Sequence, residues 1–188
     1  MNGTGLVRDP SRRLADGIVT HISRTRVDVA LARTQHAAYA DALAASGWTI
    51  RRVPVAEDCP DSVFVEDAVV ICEDLAVLTR PGAPARRAEV AGVAQAVRAL
   101  GLRTAYIEEP GTLDGGDILQ AGHTVYAGRG GRTNGEGIRQ LRSLIAASAP
   151  RTAEFLGDLG FTPVVVEISE FEKLEGCVTC LSVLLPGR

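Results

Sequence analysis

Apolar residues recur at helical spacing in three stretches of the chain. Val29, Ala32, Tyr39, Ala40 and Leu43 follow the 3.6-residue period and predict a helix over 29–45, stopped by Gly47. Val90, Val93, Val97 and Leu100 predict a second over about 86–100, closed by Gly101. A third stretch, 136–147 and 151–159, is divided by Pro150 and closed by Gly160. After each closing glycine comes an apolar run that reads as strand, then a loop carrying acidic residues or glycines, then more strand. The strands expected are 48–55, 68–71 and 75–78, then 102–107, 118–120 and 124–127, and finally 161–168 and 181–185. Gly47, Gly101 and Gly160 stand 54 and 59 residues apart, so a unit of helix, strand, loop and strand recurs three times. The pattern predicts an α/β protein built from internal repeats. An ordinary α/β sheet whose helices happen to end in glycine would share it, except that unusual polar residues occupy the same point of each unit.

Composition narrows the picture. With 188 residues and 46% hydrophobic content the chain can bury a core without staples, which excludes disorder and collagen-like structure. The net charge is −3, and the basic residues, all but Lys173 being arginine, form no block that could track a phosphate backbone. Nucleic acid is therefore not an expected partner. No apolar run is long enough to span a bilayer and the opening residues carry no leader-like apolar segment, so a cytoplasmic protein is expected. Its four cysteines, Cys59, Cys72, Cys177 and Cys180, are then expected as reduced thiols.

The loops carry the chemistry. Residues 60–67, PDSVFVED, place Asp61, Glu66 and Asp67 around Val63, Phe64 and Val65. Read as a strand, this segment would send carboxylates to both faces, costly to bury without a cationic partner. Either the strand end frays into solvent, or the carboxylates receive a guanidinium or ammonium group through charge-assisted hydrogen bonds. The second loop, LDGGD at 113–117, reads as a turn, with too few oxygen ligands for calcium. The third, GCVTC at 176–180, contains a CxxC. Half a zinc site, a redox dithiol and a lone nucleophile all fit that spacing, and 178–185 reads as strand rather than as the helix a thioredoxin-like dithiol opens. A single nucleophilic thiol at Cys180, flanked by Thr179 and Ser182, is the preferred reading.

PDSVFVED, LTRPGAPARRAE, DGGD, GRTNGEGIRQL and SEFEKLEGCVTCLS occur here in the order and over the extent that resemble the dimethylarginine dimethylaminohydrolase family, within the guanidino-modifying (pentein) superfamily. The resemblance implies an α/β-propeller of repeated ββαβ units and, without metal or cofactor, hydrolysis of Nω-methylated arginine to citrulline and methylamine or dimethylamine. It makes Cys180 the nucleophile, which attacks the guanidinium carbon and passes through a covalent thiouronium. It assigns Asp61, Glu66 and Asp67 to the substrate's cationic groups, Arg86 and Arg132 to its carboxylate, and Phe64 and Leu174 to apolar contacts. Ile18 falls in the family's lid-like loop, and Asp114 in its acidic orienting position, as a shorter residue than the glutamate of some members. Arginine deiminase-like hydrolysis and non-catalytic binding of arginine analogues are the alternatives.

One expected part is missing. The family's catalytic histidine belongs to a strand motif resembling LHLK, and this chain has no such motif. His21, His36 and His123 lie elsewhere and read as surface residues. The helix at 136–147 runs almost directly into a segment that resembles the one before the family's last repeat. The sequence thus predicts one domain over 1–188 lacking more than one repeat near 144–149. Unpaired strand edges would follow unless the units close into a smaller ring or a homo-oligomer covers them. Loss of the general acid alone predicts turnover lower by roughly 10² to 10⁴.

Overall fold

The computed structural model describes residues 3–121, 124–146, 169–174 and 179–185. In chain order its elements are β1 (Thr4–Val7), α1 (Val29–Ala45), β2 (Thr49–Arg52), β3 (Val69–Cys72), β4 (Leu75–Leu78), α2 (Val90–Ala99), β5 (Arg103–Tyr106), β6 (Ile118–Ala121), β7 (Thr124–Ala127), α3 (Gly135–Ala146), α4 (Ser169–Glu172) and β8 (Ser182–Leu185). They divide between two compact units, Met1–Glu66 with Ala91–Val93 and Val164–Arg188, and Asp67–Val90 with Ala94–Pro163.

The first unit is a sheet of order β2-β1-β8, with β2 parallel and β8 antiparallel to β1. Parallel neighbours need a crossover, and α1 supplies it between β1 and β2. The second unit repeats the plan. β3 and β4 pair antiparallel, α2 crosses over, and β5 pairs parallel to β4. The hairpin of β6 and β7 followed by α3 provides the same ββα start once more. The repeat read from the glycine spacing is therefore a ββαβ unit, whose first copy takes its leading strand from the far end of the chain.

The two helix ends preceding parallel strands are built alike. Gly47 and Gly101 have φ of +93° and +76°, and the amides of Trp48 and Leu102 reach back to the carbonyls of Leu43 and Val97, each at 3.2 Å. A left-handed residue here favours glycine because any Cβ would crowd the following carbonyl. The start of α1 is fixed by Asp28, whose carboxylate accepts the amides of Ala30 and Leu31 at 2.9 and 3.0 Å.

Each unit has its own apolar core. In the first, Val7, Leu14, Val27, Ala32, Tyr39, Val63, Phe64, Phe171, Leu174 and Leu181 are buried together, with Cys180 packed at the edge. In the second, Val70, Leu75, Val77, Ile107, Leu113 and Leu141 form the cluster. Among the described residues no helix is long and apolar enough to cross a membrane.

Several sequence readings change. β1 and α4 were not anticipated. The helix expected from residue 86 opens with a 3₁₀ turn, Pro84–Glu89, and becomes α-helical only at Val90. The strand expected over 48–55 is confined to Thr49–Arg52. Residues 60–67 are not a strand. The amides of Ser62, Phe64 and Val65 bond back to the carbonyls of Cys59, Asp61 and Val63, coiling the segment into turns that bury 61–65 consecutively. The strand read over 178–185 begins only at Ser182, because Thr179–Leu181 is a 3₁₀ turn. His36 is not on the surface but 1% exposed, on the buried face of α1 with Ala32, Tyr39 and Ala40. His123, Cys177, the helix at 151–159, the strand at 161–168 and residues 147–149 of the proposed gap lie outside the described residues.

Candidate active site

The predicted residues fall into two groups, one in each unit. In the first unit the centre is Asp61, 4% exposed. Its two carboxylate oxygens lie 3.0 and 3.2 Å from the amide of Ile18. A buried carboxylate needs donors, and the Ile18 backbone N–H is one of them. The chain can approach this closely because residue 17 is glycine. A Cβ there would stand 2.9 Å from Asp61 Oδ1 and 3.0 Å from Leu174 Cδ2. Arg24 straps the same turn from outside, donating to the carbonyls of Ala15 and Gly17 at 3.0 and 2.6 Å.

Phe64 and Leu174, expected to touch a ligand, are 5% and 4% exposed and belong to the first unit's core. Cys180 sits in the turn that leads into β8, half-buried against that core. Cys59, Cys72 and Cys180 are thiols, not half-cystines. Two contacts tie β8 and α4 to α1. Tyr39 Oη and Ser182 Oγ are 2.6 Å apart, and the Glu170 amide donates to Gln35 Oε1 at 3.1 Å. Glu170 also accepts the Asp28 amide at 2.8 Å and pairs with Lys173. Glu66 is half-buried in the turn Val65–Ala68.

In the second unit four predicted residues come together. Arg86, 2% exposed, sends Nη1 to Asp67 Oδ2 at 2.5 Å, and its Nε and Nη2 form a two-pronged pair with Glu89 at 3.0 and 2.9 Å. Burial works against the charged guanidinium, but Asp67 and Glu89 more than offset it and hold its pKa above the ordinary arginine value. Three of its donors are thus engaged by carboxylates of its own unit. On this geometry Arg86 acts first as the anchor of Asp67. Asp67 also accepts the Gly116 amide at 3.0 Å through its other oxygen, so its orientation is fixed from two sides.

Asp114 lies beside this pair, 3% exposed. Its Oδ1 accepts the Gly82 amide at 3.0 Å, whereas Oδ2 has no hydrogen-bond partner. Arg132 Nη1 stands 3.8 Å from Oδ2, too long for a hydrogen bond, and the Arg132 side chain is 36% exposed. Burial, and next the charge of Asp67, push the Asp114 carboxyl above its ordinary pKa, against the Gly82 bond, Arg86 and Arg132. The segment of Gly82 meets that of Arg132 directly: a Cβ on Gly82 would fall 2.3 Å from the Arg132 carbonyl oxygen. Thr133, fully buried, accepts the Asp114 amide at 3.1 Å and donates to Asp117 at 2.5 Å.

Glu89, Thr133 and Gly17 escaped the sequence reading. Glu89 stands one helical turn after Arg86, a spacing at which an acid and a base meet, and this signal was available. Among the described residues no group of three His, Cys, Asp or Glu is placed to hold a metal ion.

No family model matches the chain. A dimethylarginine dimethylaminohydrolase of Streptomyces coelicolor is 46% identical over 247 residues, covering 96% of this chain and 96% of the relative. The chain belongs to the dimethylarginine dimethylaminohydrolase family. A crystal structure of a dimethylarginine dimethylaminohydrolase adduct with 4-chloro-2-hydroxymethylpyridine superposes with a TM-score of 0.85 at 26% identity, covering 98% of this chain and 100% of that one. A cysteine-to-serine mutant of the Pseudomonas aeruginosa member, complexed with citrulline, matches 78% of this chain and 58% of its own at 39% identity, with a TM-score of 0.73. The ββαβ units described above are accordingly those of the pentein fold that dimethylarginine dimethylaminohydrolases share.

Proposed function

We propose that this chain hydrolyses Nω-methylated arginine to citrulline and methylamine or dimethylamine. Family membership across nearly the whole chain carries the reading. The second unit's geometry supports it, since Asp67, locked by Arg86 and the Gly116 amide, offers a pre-oriented carboxylate suited to a guanidinium. Asp61 and Glu66 add negative charge for the substrate's other cationic groups, and Arg132 is the more accessible of the two arginines for its carboxylate. Ile18, held on Asp61, belongs to the loop that covers bound substrate, while Phe64 and Leu174 belong to the apolar core of the same unit.

Cys180 is the nucleophile. A thiol of ordinary pKa, about 8.5, is mostly protonated near neutrality, and a bound cation favours the thiolate. The thiolate adds to the guanidinium carbon and the C–S bond forms. The carbon–amine bond then breaks with delivery of a proton to the departing nitrogen, leaving a thiouronium. Water adds to that carbon, the C–S bond breaks, and citrulline leaves. A reducing cytoplasm suits an enzyme of this kind, because it keeps the thiol available.

Turnover is slow, because the chain lacks the family's histidine-bearing strand motif. The 247-residue alignment with the Streptomyces relative is longer than this chain, which supports a missing internal segment.

Mass-spectrometric detection of citrulline from asymmetric dimethylarginine tests the function. Slow but catalytic formation, abolished in Cys180→Ser, is expected. No citrulline from either methylated arginine at high enzyme concentration would refute the reading, and equal rates with unmethylated arginine would move it to the deiminase class.

A further inference from the structure

The proposed hydrolysis needs its sulfur at one place, and the residues that set that place lie within the first unit. We propose that Tyr39 of α1 is a positioning residue for the nucleophile: its hydroxyl, bonded to Ser182, fixes the register in which β8 pairs with β1, and with it the place of Cys180. This inference rests on the reading of Cys180 as the nucleophile and adds what holds it there.

The need arises from the residues of the strand itself. Side chains alternate between the two faces of a strand, so a slip of one residue turns buried positions outward, whereas a slip of two keeps the pattern. Leu181, just ahead of β8, and Val183 and Leu185 within it are all apolar and buried, and a two-residue slip exchanges one of them for another. That set cannot define the register. Ser182 and Leu184 project to the other side of the strand, the side of α1. Ser182 is 5% exposed, and its Oγ lies 2.6 Å from Tyr39 Oη. Two residues further along, a Cβ on Gly5, the β1 partner of Leu184, would stand 3.4 Å from Leu184 Cδ2 and 4.0 Å from Leu43 Cδ1. Tyr39 and Leu43 are one helical turn apart, about 6 Å along the axis, and Ser182 and Leu184 are separated by about 6.7 Å along the strand. The helix therefore offers one polar and one apolar rung at the pitch of β8.

A strand slipped by two residues would bring Leu184 or Cys180 to the Tyr39 hydroxyl. Leucine has no hydrogen bond to give and a thiol only a weak one. Tyr39 is buried among the apolar side chains of the first core, where losing a hydroxyl partner is costly. The native register is the one that joins the two hydroxyls. Cys180 stands two residues before Ser182, in the turn Thr179–Leu181, so the same slip carries its sulfur away by about 6.7 Å. Attack on a guanidinium carbon tolerates far less, since a misplacement of about 1 Å already costs on the order of 10²-fold.

The test separates place from stability. Tyr39→Phe keeps the ring and removes the hydroxyl, Ser182→Ala removes the partner, and the double variant removes both. Urea unfolding is expected to show each single variant less stable than the parent and the double variant closer to it than either, because neither hydroxyl is then left behind by the other. Citrulline formation at saturating dimethylarginine is expected to fall at least about tenfold in all three, the double variant included, with KM within about threefold of the parent. Ser182→Thr, which keeps a hydroxyl, is expected to recover most of the loss seen in Ser182→Ala. A bond that only stabilised the fold would return activity together with stability, so a double variant as active as the parent would overturn the assignment. Parent activity in Tyr39→Phe, or a loss confined to KM, would do the same. Alkylation of Cys180 by iodoacetamide, followed on its own peptide by mass spectrometry, needs no turnover. Its rate is expected to change at least about fivefold, by a common factor in the three variants lacking a hydroxyl, and an unchanged rate would overturn the assignment. If the parent chain forms no citrulline, the hydrolase reading fails, and the alkylation rates still decide whether Tyr39 places the thiol. A Tyr39→Phe chain that does not fold leaves the decision to Ser182→Ala and Ser182→Thr.

Discussion

Mild acid destabilises the first unit through His36. This residue is 1% exposed on α1, its Nε2 has no hydrogen-bond partner, and its ring packs edge-on against Phe171 at 6.3 Å. Burial drives its pKa down to about 4; Asp9, 3.4 Å from Nδ1, pulls it up, and Arg52 pushes it down. As pH falls the unfolded chain takes the proton first, near 6.5, while the folded histidine stays neutral until about 4. Its contribution is therefore fully present above 6.5 and is lost as pH falls through 4. Linkage puts the loss at about 2 kcal/mol between pH 7 and pH 5 and about 3 kcal/mol by pH 4. For a chain of this size 2 kcal/mol is roughly a 5 °C fall in Tm. Other groups titrate in the same window, so the measurement is a comparison with His36→Gln, which carries no ionising ring. Urea unfolding of both chains at pH 7, 6 and 5 is expected to show the gap between them moving by about 2 kcal/mol in favour of the variant. Parallel stability curves across that range would refute the burial argument.

Two further perturbations test the supports of the site. Gly17→Ala forces a Cβ to within 2.9 Å of Asp61 and 3.0 Å of Leu174, so it is expected to cost about 1 to 3 kcal/mol in denaturant unfolding and to raise KM more than it lowers kcat. A variant as stable as the parent would show that the loop moves freely. Glu89→Leu removes one carboxylate of a buried pair and leaves Arg86 half-compensated, with an expected loss of about 3 to 5 kcal/mol. A loss under about 1 kcal/mol would show that Asp67 alone suffices.

How much of this was legible in the sequence varied with how local the cause is. The bounds of α1 follow from its apolar period and from Asp28, both contained in the helix or next to it. The closing turns at Gly47 and Gly101 were equally legible, since the left-handed residue is its own signal. β1 was not. Thr4–Val7 has no alternation to read because Gly5, Leu6 and Val7 are all buried, and its strand character comes from partners in β2 and β8. Residues 60–67 misled for the opposite reason: an apolar triplet imitates a strand, while the turn bonds around it depend on backbone geometry that composition does not display. In the site, the residue types of Asp67, Arg86, Asp114 and Arg132 could be named in advance. Who would hold whom could not, because the pairing of Arg86 with Glu89 and the unmatched oxygen of Asp114 are settled only by packing. His36 lies between the two cases. It shares a helical face with Ala32, Tyr39 and Ala40, and that neighbourhood outweighed its polarity.

The pairing of β1 with β8 has a consequence for synthesis. β1 is the middle strand of its sheet, and one of its two edges stays open until β8 has followed it out of the ribosome. Cys180, two residues ahead of Ser182, gains its setting at that same late moment. Nascent chains therefore expose an unsatisfied strand edge until β8 pairs, the kind of edge on which other chains add. They also carry no organised thiol until β8 has been made, so a chain released before that point would have nothing with which to begin the chemistry.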